Sequence, residues 1–286
     1  MTNPTVSAIV KFMVRQCKFR IGNQTAFSAE CYSVPFDYAE DCGFDAFEWF
    51  PDKKDWGQGW DVEDVGQQER TGIRRRALSR GIRQSVHAPV SANPLCDGTM
   101  ELIGRSVDFA LDVGAVLVNV HLDVEQGVDA YFHAILPLIG LTAEAGIKLS
   151  IENTTVTGPE DFNLLFGLIG KLKDPDASHV GMCFDMGHAN IYSGTRHDYL
   201  GYFDGLSPCV PVIHLHVHEN YGDLDSHLAL FTGPAADNPA GVTGLVSRLK
   251  RRGFDGSAIL EQWPDPPSLL NVSRDGLAAI CNSTSA

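Results

Sequence analysis

The sequence predicts a single (β/α)8 barrel of the α/β class, a TIM barrel, with a short N-terminal extension over residues 1–16. Three observations predict it. Eight short apolar runs alternate with amphipathic stretches, the pattern of a parallel sheet whose strands return through helices. Five helix-to-strand junctions carry a glycine, at Gly43, Gly81, Gly114, Gly146 and Gly253, as left-handed helix caps do. The length of 286 residues suits one such barrel, which takes roughly 250. The whole chain, 1–286, is therefore read as one domain.

The first strand, residues 18–23, follows an extension expected to add a strand or helix beneath the barrel. The second, 44–50, holds Glu48 in Phe-Glu-Trp-Phe, and the third, 84–90, holds His87 in Ser-Val-His-Ala-Pro. The fourth, 115–123, carries His121 after Asn-Val, and the fifth, 148–153, runs Leu-Ser-Ile into Glu152 and Asn153. The sixth, 180–186, leads into Asp185-Met-Gly-His188. The seventh, 212–218, alternates His214, His216 and His218, and the eighth, 257–263, closes on Glu261 and Trp263. Helical patterns cover 61–80, 99–113, 128–145, 159–171, 243–252 and 268–280, while 219–240 reads as a long loop with helical signal only in short pieces. Loops of that length are usually functional or mobile.

Composition narrows the function. Hydrophobic residues make up 44% and glycines number 28, enough for a large core with tight turns. The formal charge is −14, from 22 basic and 36 acidic residues. Such a surface repels phosphate backbones and excludes nucleic acid as the expected partner. Basic residues cluster within helical patterns, at 74–76 and 248–252, where charge runs are solvated faces. Seven cysteines, odd in number and without a CxxC pair, read as reduced thiols of a cytoplasmic protein. The apolar stretch 6–14 is interrupted by Lys11 and is too short to span a bilayer, so neither membrane nor targeting segment is expected. Dinucleotide, phosphate-loop and nucleophile-elbow motifs do not occur. Composition is compatible with a monomer or a homo-oligomer.

The chemistry lies at the strand exits. In a parallel barrel these converge on one face, where active sites sit. Alternate residues share a strand face, so His214, His216 and His218 point together. That is either a hydrogen-bonded polar layer or a source of metal ligands. Glu152 and Glu261 end apolar runs, and a buried carboxylate needs a partner. None of these strands ends in arginine or lysine, so a metal ion is the natural one. Asp185 is suited to reach an ion or to cap the following helix, with His188 facing substrate. His87 and His121 extend the ring of polar groups, and Glu48 is expected in the substrate shell or among the groups that back the metal ligands. Trp49, Phe50, Trp60, Tyr221 and Trp263 stand near loop ends, to stack on a substrate or to fill the core.

These motifs resemble the xylose isomerase-like TIM barrels, a superfamily of sugar-phosphate isomerases and epimerases, ketose 3-epimerases, some dehydratases and zinc-dependent abasic-site endonucleases. The resemblance is carried by Ser-Val-His87-Ala-Pro, Asn-Val-His121, Ile-Glu152-Asn, Cys-Phe-Asp185-Met-Gly-His188, His214-Leu-His216, Asp225-Ser-His227 and Ile-Leu-Glu261. It implies one divalent ion (manganese, zinc, cobalt or magnesium) held by Glu152, Asp185, His216 and Glu261. Glu152 and Glu261 would double as the acid/base pair, and His188 would touch a substrate hydroxyl. The endonuclease branch uses residues like His87, His121, Asp225 and His227 for further ions, so the resemblance leaves a multinuclear site open. After His227 the chain departs from the usual glycine-rich turn, reading Leu-Ala-Leu-Phe-Thr-Gly233-Pro-Ala. The expected activity is isomerisation or epimerisation of a sugar, sugar phosphate or related polyol by proton abstraction beside a carbonyl. A dehydratase, an endonuclease-like phosphodiesterase and a catalytically degenerate barrel are the alternatives.

Overall fold

The computed structural model describes residues 19–25, 31–54, 56–172 and 175–284. The expected extension, 1–16, lies outside the described residues. Eight parallel strands close into a barrel in chain order. They are β1 (Arg20–Gln24), β2 (Ala46–Trp49), β3 (Arg83–His87), β4 (Leu117–His121), β5 (Lys148–Glu152), β6 (Val180–Asp185), β7 (Val212–Val217) and β8 (Ser257–Leu260). The strands are shorter than the apolar runs that predicted them. In β3 the ladder stops at His87, two residues before Pro89, which has no N–H to give.

The helices are α1 (Ser33–Cys42), α2 (Gln67–Arg80), α3 (Thr99–Val113), α4 (Val128–Ala145), α5 (Pro159–Ile169), α6 (Met186–Ile191), α7 (Tyr199–Gly205), α8 (Pro234–Asp237), α9 (Ala240–Arg251) and α10 (Leu269–Ser283). Sequence periodicity located α3 and α4 to the residue. It joined residues 61–80, which the structure divides into a 3-10 turn (Val62–Asp64) and α2. It did not separate α6, α7 and α8, because one or two turns are too short for a helical period. All five expected cap glycines have positive φ, from 66° to 76°. Among the described residues no helix is long and apolar enough to cross a membrane, and the described cysteines are free thiols.

Alternation along the strands divides the core in two. Outward residues pack under the helices, as where Trp49 meets Phe36, Phe47, Trp60 and Phe109 at centroid distances of 4.8–5.9 Å. Trp49 and Trp60 are thus core, not sugar platforms, and their ring nitrogens donate to Gln84 Oε1 and Thr25 Oγ1. The inward face is polar. Two residues before each of His87, His121, Glu152 and His216 lie Ser85, Asn119, Ser150 and His214, all buried. They form a layer directly beneath the strand exits.

Candidate active site

The site is built upward from Glu48, which is fully buried. Its carboxylate accepts from His214 Nε2, His216 Nε2 and Ser85 Oγ, each at 2.7 Å. Burial opposes its ionisation, but the two imidazoles hold it well below the usual carboxylate range. The carboxylate defines the tautomer of His216. With the proton on Nε2, the lone pair of Nδ1 points to the strand exits. Glu48 and His214 therefore lie behind His216 and do not line the cavity above it. The sequence left Glu48 and His214 either to substrate or to the groups that back the metal ligands, and their depth behind His216 is compatible with the second of these.

Around His216 Nδ1 three carboxylates gather. Glu152 Oε2 is 3.2 Å away, Glu261 Oε2 3.3 Å and Asp185 Oδ2 3.8 Å. None of these approaches has hydrogen-bond geometry, and His216 Nδ1, Glu152 Oε1 and Glu261 Oε2 are buried without a partner. A buried polar atom without a partner loses about 1–3 kcal/mol. Two such atoms 3.3 Å apart, His216 Nδ1 and Glu261 Oε2, with the Glu152 carboxylate beside them, fit a divalent cation, and the donors are of the kind that binds one: carboxylate oxygens and a neutral imidazole. The four residues do not all lie within one mutual ligand distance. His216, Glu152 and Glu261 cluster with His87, while Asp185 clusters with Glu152 and His188 or with His218 and Glu261. His218 Nε2, 3.1 Å from both Asp185 oxygens, is accordingly a rival ligand.

The surrounding chain orients these groups. Glu152 Oε2 also accepts from His87 Nε2 at 3.1 Å and from Asn119 Nδ2, and His121 Nε2 is 3.6 Å from its Oε1. Asp185 caps α6, accepting from His188 N at 2.6 Å, as one of its two sequence readings had it, and its other oxygen lies 3.8 Å from His216 Nδ1. Asn153 clamps the Asp185 backbone in both directions, at 2.8 and 2.9 Å, and accepts His188 Nδ1 on its carbonyl. Gly187 passes so close to the His218 ring that a Cβ there would collide with it. Although burial opposes protonation, the neighbouring carboxylates push His188 and His216 well above the ordinary imidazole value. Burial likewise opposes ionisation of Glu152, whose neighbouring imidazoles hold it well below the carboxylate range.

A second cluster adjoins the first. Asp225 Oδ2 is 3.1 Å from both His188 Nε2 and His227 Nε2, and with His218 these residues fall within ligand distance of one another. Asp225 and His227 belong to the long loop after β7, which is pinned rather than open. Glu219 and Leu228 exchange backbone hydrogen bonds of 2.9 and 2.8 Å. The Glu219 carboxylate accepts Gly233 N and Ala235 N at 3.0 and 2.6 Å, capping α8. A carboxylate cap stands here, where the sequence departs from the family's usual glycine-rich turn.

Over the site opens a cavity of about 680 Å³ whose wall includes Phe50, His121, His188, Asp225, His227, Glu261 and Trp263. Phe50 and Trp263 reach it, whereas Tyr221 is exposed outside it. Sequence reasoning overlooked Ser85 and Asn119, although a step of two back from His87 and His121 finds both. It also overlooked Gln24 and Gln262 in the cavity wall, which carry no motif.

Known proteins bear on this arrangement. A curated relative, the uncharacterized protein MJ1311 of Methanocaldococcus jannaschii, is 26% identical over 197 residues, covering 62% of this chain and 63% of that protein. The chain thus matches less than two thirds of that relative's length. A solved D-tagatose 3-epimerase-like protein superposes with a TM-score of 0.72 and 22% identity, over 94% of this chain and 100% of the other. D-psicose 3-epimerase from Clostridium cellulolyticum gives 0.66 and 11%, over 93% and 99%. At such identities the structural likeness speaks for the fold. The sequence profile that matches residues 36–282 speaks for ancestry, and by it the chain belongs to the xylose isomerase-like TIM barrel family.

Proposed function

We propose that the protein is a divalent-metal-dependent isomerase or epimerase acting on a sugar or related polyol. The observation that carries this reading is the approach of the Glu152 and Glu261 carboxylates to His216 Nδ1, at 3.2 and 3.3 Å, with His216 Nδ1 and Glu261 Oε2 buried and unpartnered, beside a cavity of substrate size that Glu261 lines. Glu152, Asp185, His216 and Glu261 would hold the ion, manganese, zinc, cobalt or magnesium, with His218 as the rival imidazole. When bound, the ion supplies Lewis-acid polarisation of a carbonyl and so acidifies the adjacent C–H. Glu152 and Glu261 flank His216 Nδ1. One carboxylate takes the proton and the other returns it to a different face or carbon. His188, held by the Asn153 carbonyl, orients a substrate hydroxyl. Membership of a family with 3-epimerase-like structural neighbours supports the same chemistry.

A specific observation favours a second reading. The cluster of His188, His218, Asp225 and His227 could take a further ion, and several ions at one rim suit phosphodiester hydrolysis. The net charge of −14 weighs against a DNA substrate. A dehydratase shares the proton-abstraction step and differs only in what leaves. The test is metal analysis of the purified protein, followed by turnover of ketoses, sugar phosphates and an abasic-site oligonucleotide at low salt, before and after metal removal. We expect metal-dependent ketose conversion, no incision, and loss of turnover by at least roughly a thousandfold in the Glu152→Gln protein. Efficient incision abolished by Glu261→Gln would replace the isomerase reading with DNA repair. Titration of metal into the metal-free protein should release protons, because protonated His216 and His188 compete with an ion.

A further inference from the structure

Gln24 and Gln262 stand at the exits of neighbouring strands, β1 and β8, and both line the cavity. They are 3% and 5% exposed. Among the described residues Gln24 Oε1 has no hydrogen-bond partner, and neither does Gln262 Oε1 or Nε2. Because both ends of the Gln262 amide are unpartnered, the conclusion does not depend on which way the amide is turned. Two nearly buried amides side by side with unused donor and acceptor capacity are poor filling for a wall. They contribute nothing to the ion either, since an amide is a weaker ligand than the carboxylates below. They suit a guest that both gives and takes hydrogen bonds without charge.

The charges around them point the same way. Among the described residues the cavity wall holds one ammonium, that of Lys54, which is paired with Asp52, and no guanidinium. Asp52, Asp225 and Glu261 also line it, and the imidazoles of His188 and His227 in the same wall are both committed to the Asp225 carboxylate. Recognition of a phosphate monoester calls for an arginine fork, an uncommitted lysine or a nest of backbone N–H groups. A phosphoryl group beside Gln24 and Gln262 would meet carboxylates and amide oxygens instead. Phe50 and Trp263 offer apolar faces in the same wall, as hydrogen-bonding subsites for sugars require for the C–H edges.

We infer that Gln24 and Gln262 form a hydroxyl-recognition subsite, which selects a neutral polyhydroxy substrate over its phosphorylated counterpart. The inference rests on the isomerase reading for the identity of the guest as a polyol. The subsite itself is a property of the wall. A site built to hydrogen-bond hydroxyls loses both the contacts and the desolvation of its own groups when the guest lacks them.

The test uses the manganese-loaded protein with two probes, D-fructose and D-fructose 6-phosphate. Binding is read by calorimetry, turnover by NMR, and unfolding of the ligand-free protein by thermal melts. We expect D-fructose to bind at least about tenfold tighter than its 6-phosphate, a difference of one decade in Kd. Gln262→Met and Gln24→Met should each raise Kd or KM for the free sugar by about tenfold, with kcat and manganese affinity unchanged. Their ligand-free melting temperatures should hold or rise, since each substitution removes unpartnered buried amide atoms. Equal or tighter binding of the 6-phosphate, failure of D-fructose to bind, or unchanged sugar affinity in both variants overturns the subsite. A marked fall in melting temperature also overturns it, by making the amides structural. Binding of D-fructose that depends on both glutamines but leads to no turnover sinks the isomerase reading and leaves the subsite standing.

Discussion

Glu48 and Glu152 are both fully buried glutamates at strand ends, and both lie against His216, yet their environments are finished differently. Glu48 meets donors on both oxygens, from two imidazoles and a serine. Glu152 keeps Oε1 without one, as Glu261 keeps Oε2. One side of the imidazole is closed by the protein itself, and the other is open to a guest. The lesson is that burial and residue type alone do not separate a structural carboxylate from a functional one. The count of satisfied lone pairs does.

The comparison can be broken by stability measurements. Glu48→Ala strands the Nε2–H groups of His214 and His216, and removing one partner of a buried charged group costs about 3–5 kcal/mol. Urea unfolding should show that loss without metal, and a further loss with metal, because Glu48 no longer fixes the His216 tautomer. Glu152→Gln should differ in kind. Wild-type protein at a metal concentration a hundredfold above Kd gains about 2.7 kcal/mol, and we expect melts of the glutamine variant to lose most of that gain. A Glu152→Gln protein that keeps it would place the ion elsewhere. Gly187→Ala should lower stability by about 1–3 kcal/mol through overpacking, because the new methyl runs into the buried His218 ring. Unchanged urea unfolding there would mean that the turn yields.

The smallest effect concerns the rim. Burial works against protonation of His227, but its hydrogen bond to Asp225 and the charge of Glu261 push it up to about 9 from an ordinary 6.5. A raised imidazole stabilises the fold fully below its unfolded value and loses that contribution as pH rises through the folded one. The metal-free protein should therefore lose stability between pH 6.5 and about 9. With a third of the His227 side chain exposed, solvent screening leaves on the order of 1 kcal/mol. His227→Asn should flatten that slope in unfolding measured across the range, and an unaltered slope would assign it to another group.

Much of this was legible in the sequence because period and position coincide in a barrel. Each strand announces itself as an apolar run, its exit as the first polar residue after it, and its neighbour's start by a cap glycine such as Gly114 or Gly146. Glu152, Asp185 and Glu261 were proposed this way, while the seventh strand offered three histidines, of which His216 was singled out only with the family resemblance. What the sequence could not show is depth. His214 and His216 have the same spacing logic and the same residue type, and only the barrel's stagger decides which meets the cavity. Trp49 looked like a rim aromatic because it follows Glu48, but the pleat turns it outward. Gln24 and Gln262 were invisible because an unpartnered amide is a fact of packing, not of composition.

The pinned loop after β7 has a kinetic and entropic reading as well. Glu219 and Leu228 tie the chain so that Asp225 and His227 ride on an arc of residues 220–227, not on the whole of 219–240. By loop-closure scaling, shortening the free segment from about 20 to about 8 residues lowers the entropic penalty by roughly 0.8 kcal/mol. Expressed as effective concentration, the two side chains are present at the rim about fourfold more strongly than on an untied loop. The tether works through backbone and a carboxylate cap, and inside the arc the buried Asn220 adds a further anchor, donating to the Gly187 carbonyl and accepting from Asn190 Nδ2 and Gly222 N.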